Sequence, residues 1–86
     1  MDPHTILKHP LSTEKSIRLL ESENKLVFAV HPKATRKEIK QAIEEMFNVK
    51  VLKVNTLTVP TGEKRAYIKL SPENPAIDVA TELGLM

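Results

Sequence analysis

Hydrophobic and polar positions follow a helical period in the middle of the chain. Between residues 33 and 48, the apolar positions recur three and four residues apart and form one stripe of a helix: Ile39, Ala42, Ile43, Met46 and Phe47. Thr35 followed by Glu38 predicts a capping box at the start of this helix, and Asn48 predicts a left-handed residue at its end.

Three other segments have the pattern of β-strands. Residues 25–30 are apolar on both faces, which favours a central or covered strand. Residues 49–59 alternate but change phase near Val51 and Leu52, which indicates a bulge. Residues 65–70 alternate without interruption. The polar turn between the last two predicts a β-hairpin around Gly62.

Shorter elements are predicted near the two ends. We expect residues 1–11 to form an arm, because Pro3 and Pro10 block a regular helix. Ser12 is the predicted cap of a helix over residues 13–21 that turns Ile17 and Leu20 inward. Asn74 and Pro75 predict the start of a closing helix that ends at Gly84; its expected buried residues are Ile77, Ala80 and Leu83.

The order of these elements, α-β-α-β-β-α, predicts an α+β fold. A strand, a crossover helix and a second strand form a right-handed unit, and a third strand inserted between them gives the ferredoxin-like split β-α-β. The expected result is a small sheet with antiparallel pairs and with helices on one face only. We predict one domain over residues 1–86, of which residues 1–11 are the arm.

Two registers of the hairpin are open. The favoured one has a three-residue loop, residues 61–63, and sets Thr58, Thr56 and Val54 opposite Ala66, Ile68 and Leu70. The alternative has a two-residue loop and sets Leu57 and Asn55 opposite Ala66 and Ile68. The favoured register leaves an uncovered face that is basic and polar, with one aromatic residue: Lys53, Asn55, Arg65, Tyr67 and Lys69.

Composition narrows the class of protein. The chain has no cysteine, which excludes disulfides and thiolate metal sites, and its three histidines lack metal-ligand spacing. No apolar run is long enough for a membrane helix, and the first ten residues lack the apolar core of a signal peptide, so we expect a soluble cytoplasmic protein. No nucleophile elbow or glycine-rich loop is present, so an enzyme is not expected, and no cofactor either.

Charge points to a polyanion through its distribution rather than its total. The formal net charge is only +2. The central helix, however, carries Arg36, Lys37 and Lys40 first and Glu44 and Glu45 last, which opposes the helix dipole. Aromatic residues make up only 3% of the chain, so we expect RNA to be held mainly through phosphate contacts and shape.

Several short motifs together resemble the large-subunit ribosomal protein L23 family. In chain order they are LKHPLSTEK from Leu7, KATRKEIK from Lys33, FNVKV from Phe47, VNT from Val54 and GEKR from Gly62. The resemblance implies a ribosomal protein that binds large-subunit rRNA, as a monomer within the cytoplasmic ribosome. It further implies a position beside ribosomal protein L29 at the polypeptide exit tunnel, and a docking platform for signal recognition particle and other nascent-chain factors.

The resemblance also has one departure. Bacterial members carry a long hairpin between the last two strands, whereas the turn over residues 60–64 is too short to reach into the tunnel. This difference indicates the archaeal or eukaryote-like form. A protein-only interaction module with the same fold is the remaining alternative, and co-purification with rRNA would separate the two.

Taken together, the pattern and the resemblance give two sets of candidate residues. The predicted rRNA-binding residues are Lys8, His9, Lys15, Arg36, Lys37, Lys40, Lys53, Asn55, Thr56, Lys64, Arg65, Tyr67 and Lys69. Glu14 and Glu21, on the first predicted helix, are the candidates for factor docking. Each set has a plainer interpretation, since charged residues on a helix or at a terminus often do no more than face solvent.

Overall fold

A computed structural model describes residues 3–84 of the chain. Within that range the chain forms four helices and four strands, in the order α1 Pro3–Ile6, β1 Leu7–Pro10, α2 Glu14–Glu23, β2 Lys25–Val30, α3 Arg36–Phe47, β3 Val51–Thr58, β4 Lys64–Leu70 and α4 Ala76–Glu82. The helices and strands predicted from residue 13 onward are all present, with boundaries that differ by a few residues.

The four strands form one antiparallel sheet in the order β1-β2-β4-β3. Strands β2 and β3 are joined through α3 and both pair with β4, which lies between them. This arrangement is the split β-α-β unit, and the predicted α+β, ferredoxin-like fold is confirmed. β2 is an inner strand and is buried from Leu26 to Val30, as its apolar residues on both faces predict.

The prediction of an N-terminal arm is wrong for the part that the structure describes. Residues 3–10 form α1 and β1, and β1 pairs with β2 through Leu7 opposite Val30. Pro10 is compatible with this because β1 is an edge strand, where a missing N–H is tolerated. Residues 1 and 2 of the predicted arm lie outside the described residues. The fold therefore has two more elements than predicted.

The hairpin between β3 and β4 has the predicted faces but a different register. Thr56 pairs with Ala66 and Val54 with Ile68, two residues away from the favoured prediction. The alternative register, with Leu57 opposite Ala66, is absent because Leu57 pairs with Arg65. A shift of two residues preserves the face of every side chain.

The connecting loop has the predicted length of three residues but lies one residue earlier. Val59 donates a backbone hydrogen bond to Glu63 at 2.9 Å, which closes the loop over residues 60–62. Gly62 has φ +91° and donates to Val59 at 2.8 Å, so the loop is a turn followed by a glycine bulge. The predicted bulge in β3 is confirmed by the register shift between Val51 and Lys53.

All the side chains of the main core lie between the helices and one face of the sheet. The strands contribute alternate residues: Leu26, Phe28 and Val30 from β2, Val51 and Val54 from β3, and Ala66, Ile68 and Leu70 from β4. The helices contribute Ile6, Leu20, Ile39, Ala42, Ile43, Ala76, Val79 and Ala80. Met46, predicted in the α3 stripe, is 39% exposed, and Phe47 is partly buried at the edge of this core.

Caps fix where the helices begin. Thr35 accepts a hydrogen bond from the Glu38 N–H, and Glu38 accepts one from the Thr35 N–H at 3.0 Å, which confirms the predicted capping box of α3. Asn48 is left-handed, as predicted. The cap of α2 is Thr13 and not Ser12, because Thr13 forms its own capping box with Ser16.

Asn24 joins three elements. It ends α2 in a left-handed conformation, and its Nδ2 donates to the carbonyl groups of Leu70 and Ser71 at 3.2 and 3.1 Å. Its Oδ1 accepts from the Ala76 N–H at the start of α4. The predicted cap of α4 is therefore wrong, since Asn74 instead accepts from the Lys50 N–H at 2.9 Å.

The buried face of α4 also differs from the prediction. Of the three predicted residues, Ala80 is buried and Leu83 packs partly buried against the core, whereas Ile77 is 43% exposed. Ala76 and Val79 are buried as well. The helix begins one residue later than expected, after Pro75.

Candidate nucleic-acid interface

The face of the sheet that the core leaves uncovered is ordered in three rows across the strands. Pairing places Lys53, Lys69 and Lys25 in one row. The middle row is Asn55, Tyr67 and Val27. The third row is Leu57, Arg65, Ala29 and His9. We call this surface the open face; side chains directly opposite each other in a row have Cβ atoms about 5 Å apart.

The lysine row concentrates positive charge. Lys69 lies between Lys53 and Lys25, and like charges directly opposite one another destabilise a sheet. The Lys25 ammonium is offset by Glu23 at 3.3 Å. Among the described residues, neither the Lys53 nor the Lys69 ammonium has a hydrogen-bond or ion-pair partner. A row of this kind gains stability when an anion lies across it.

Arg65 places a second cation two residues from Tyr67 along β4. Its guanidinium is 3.8 Å from the carboxylate of Glu63, which is a long ion pair, and its Nε is buried without a hydrogen-bond partner. The planar guanidinium can donate two parallel hydrogen bonds to a phosphate. Arg65 therefore has donor capacity that the protein itself does not use.

Two predicted residues of the hairpin lie on the covered side of the sheet. Lys64 and Thr56 have the same strand parity as Ala66, which is in the core. The Lys64 ammonium donates to the carbonyl of Ala34 at 2.7 Å, which ties the hairpin to the start of α3. Thr56 is half-buried. Neither is brought together with the open face, although both stay predictions for RNA contact.

The cations of α3 form a separate surface. Ile39 and Ile43 pack into the core, so the exposed Lys37 and Lys40 lie on the outer side of α3, and Arg36 is exposed at the first position of the helix. The open face and this helix surface therefore point in different directions. The sequence predicts one set of rRNA-binding residues, whereas the fold places them on two separate surfaces.

The N-terminal candidates are divided too. His9 pairs with Ala29 and extends the arginine row of the open face, while its Nδ1 lies 3.3 Å from the Pro10 carbonyl oxygen. Lys8 is exposed beside it on the edge strand, and Lys15 is exposed in the first turn of α2.

Lys25 is a candidate that the sequence interpretation missed. It is the first residue of β2 and shares the open face with Val27 and Ala29. The predicted split β-α-β places β2 beside β4, so the alternation of residues in β2 indicates that Lys25 shares a face with Lys69. The signal was overlooked because β2 looked apolar on both faces.

The two acidic candidates share one side of α2. Glu14 and Glu21 are exposed and seven residues apart, which is about two helical turns. Between them, Arg18 donates to Glu14 at 3.2 Å. Thr13, Lys15 and Leu19 complete a shallow groove with Glu14 and Arg18. This surface is exposed and carries charges of both signs.

Residues 3–84 contain no cluster of His, Asp and Glu side chains arranged to hold a metal ion. The helices in that range are all too short or too polar to span a membrane.

Comparison with known proteins gives one consistent relationship. The family model for ribosomal protein L23 matches residues 5–77. The large ribosomal subunit protein uL23 of Tetrahymena thermophila is 44% identical over all 86 residues. The chain covers 57% of the length of that relative. Since the family model spans most of the sequence, this chain belongs to the ribosomal protein L23 family.

Proposed function

We propose that this protein is a structural component of the large ribosomal subunit that binds large-subunit rRNA in the cytoplasmic ribosome. The family is one of structural proteins, and the chain is not an enzyme, as the sequence predicts. The observation that carries the proposal is the match over residues 5–77 combined with an open face whose lysine and arginine groups are available. On this basis the predicted position near the exit tunnel, beside ribosomal protein L29, is part of the proposal.

The binding is of the assembly type, in which a folded rRNA region is held through its backbone. Phosphate contacts position the protein, while RNA shape and the 2′-hydroxyls supply the selectivity. Lys25, Lys53, Lys69 and Arg65 supply the phosphate contacts of the open face. The α3 cations, with Lys8, His9 and Lys15, extend the contact to other parts of the rRNA.

A docking surface for nascent-chain factors, including signal recognition particle, forms the second part of the proposal. Glu14 and Glu21 are exposed on α2, the helix that leads into β2. Ribosomes carrying Glu14→Ala that recruit signal recognition particle normally would remove Glu14 from this role.

The proposal is tested by titrating the purified chain against transcribed large-subunit rRNA at several salt concentrations. The affinity should fall by several powers of ten from low to moderate salt if several phosphates are neutralised. A flat salt response, or equal affinity for an unrelated RNA of the same length, would contradict the proposal. Sedimentation with the large subunit after a high-salt wash tests assembly directly.

A further inference from the structure

We propose that the open face takes one unpaired nucleotide of the RNA, whose base stacks on Tyr67 while the flanking phosphates lie on the two cationic rows. Because the ligand is RNA only if the proposed function holds, this inference rests on that function. The RNA element is a loop or bulge nucleotide and not an uninterrupted helix.

The middle row of the open face differs from the rows on both sides because it carries no charged residue. Tyr67 is half-buried, and its neighbour Val27 on β2 is only 6% exposed. Neither side chain offers a cation, whereas the rows on both sides do. An aromatic ring on an apolar support is the usual platform for a nucleobase, which stacks on it regardless of its identity.

The two cationic rows flank the position of the Tyr67 ring on both sides. Arg65 and Lys69 lie two residues before and after Tyr67 on the same strand, so each cation is about 6.6–6.8 Å from the ring position along β4. A base stacked at Tyr67 would therefore have cationic groups on both sides, where its chain enters and leaves. Both cations have binding capacity that no described residue satisfies fully.

Asn55 completes the site. It lies directly opposite Tyr67 on β3 and is exposed. Asparagine is disfavoured in strands, so its position beside the ring calls for a use of the amide. The amide carries both a donor and an acceptor, which can pair with the edge of a stacked base or with a 2′-hydroxyl.

The remaining aromatic residues limit the site to one base. The chain has one tyrosine, two phenylalanines and no tryptophan. Phe28 and Phe47 pack against each other with ring centroids 6.2 Å apart, and Phe28 is in the core. A protein that binds a single-stranded tract presents several rings in succession, whereas the open face presents Tyr67 alone.

The experiment compares three chains on transcribed large-subunit rRNA: the natural chain, Tyr67→Phe and Tyr67→Leu. Loss of the ring should weaken binding about tenfold, and Tyr67→Phe should bind within about twofold of the natural chain. Neither change should alter the slope of affinity against salt, because no phosphate contact is lost. Lys69→Ala is the matched control and should reduce that slope by about one.

Zero-length ultraviolet crosslinking of the natural chain to the same rRNA gives a test that needs no variant. The peptide that contains Tyr67 should carry a crosslinked nucleotide that is unpaired in the rRNA secondary structure. If Tyr67→Leu binds like the natural chain, or if the crosslinked nucleotide is base-paired, the stacking inference is overturned while salt-dependent binding upholds the proposed function. If the natural chain does not bind rRNA, both fail.

Discussion

The two faces of the sheet use neighbouring residues of the same strand for different purposes. In β4, Ala66, Ile68 and Leu70 are no more than 1% exposed and pack beneath the helices. The residues that alternate with them face outward and carry the charge and the ring of the proposed RNA site: Arg65, Tyr67 and Lys69. A period of two residues therefore separates stability from binding, and substitutions one position apart should separate them experimentally.

The largest expected effect on stability comes from truncating a core side chain on the covered face of the sheet. Ile68→Ala should lower the free energy of unfolding by about 2–5 kcal/mol, because it removes buried methyl groups and leaves a cavity in a fully buried position. In a chain of 86 residues a loss of that size removes much of the total stability. Urea denaturation measures the loss.

The matched control lies one residue along the same strand. Lys69→Ala should change the free energy of unfolding by no more than about 0.5 kcal/mol, because it is an exposed substitution. If the two variants were equally unstable, the division of β4 into a structural and a binding face would be wrong.

Two substitutions at Asn24 measure how much its side-chain hydrogen bonds and its left-handed backbone contribute to stability. Asn24→Gly keeps the left-handed conformation but removes the amide that reaches Leu70, Ser71 and Ala76, so it should cost about 2 kcal/mol. Asn24→Ala should cost about 1 kcal/mol more, since it adds backbone strain. Equal costs for the two variants would show that the strain at φ 55° contributes nothing.

Charge reversal compares the open face with the outer side of α3. Lys69→Glu should weaken rRNA binding at least about tenfold, because it places an acid in the middle of the lysine row that contacts the RNA backbone. Lys37→Glu reverses one charge on the helix surface, where the acidic Glu44 already lies beside Lys37 and Lys40. We expect a smaller loss there, and filter binding at one fixed salt concentration measures both.

The opposite order of the two binding losses would indicate that α3, and not the open face, makes the main contact with the RNA. If Lys37→Glu weakened binding more than Lys69→Glu did, the reversed charge order of α3 would be the better guide to the RNA. Lys37→Glu is an exposed substitution and should unfold like the natural chain, and Lys69→Glu should be at least as stable because it removes the like-charge contacts with Lys25 and Lys53.

Local patterns predicted the fold well where the signal lies within a few residues. The capping box at Thr35, the left-handed Asn48 and the alternation of β4 each depend on near neighbours in the sequence, and the structure confirms them. The prediction of an arm was wrong because Pro10 is compatible with a strand at the edge of a sheet, and the sequence around Pro10 does not show that its strand lies at an edge. Edge position depends on the whole sheet.

The candidate site was harder to predict for the same reason. The alternation of β3 and β4 identified the polar face, but the membership of Lys25 depends on pairing across forty-four residues, from position 25 to position 69. The motifs also grouped Lys64 with Arg65, although successive strand residues point to opposite faces. Motifs show which residues belong together in the family, whereas register shows which of them share a surface.

The smallest expected effect concerns the start of α3 and its dependence on pH. The hydrogen bond from the Thr35 backbone N–H holds the pKa of Glu38 below its model-compound value of 4.5, and the Thr35 hydroxyl adds to this. A lowered folded-state pKa means that the ionised carboxylate stabilises the fold above its unfolded pKa. That stability is lost as the pH falls through the folded-state pKa. Glu38→Gln should therefore be slightly less stable than the natural chain at neutral pH, and equally stable well below pH 4.5.

The matched control for this prediction is Glu45→Gln, in the last turn of the same helix. An acid there opposes the helix dipole, so its neutralisation should not destabilise α3 at neutral pH. Thermal unfolding of the three chains at neutral and acid pH measures the difference. A Glu38→Gln deficit that persisted unchanged in acid would mean that the cap acts through the shape of the side chain, and that its charge adds nothing to the stability of the covered face.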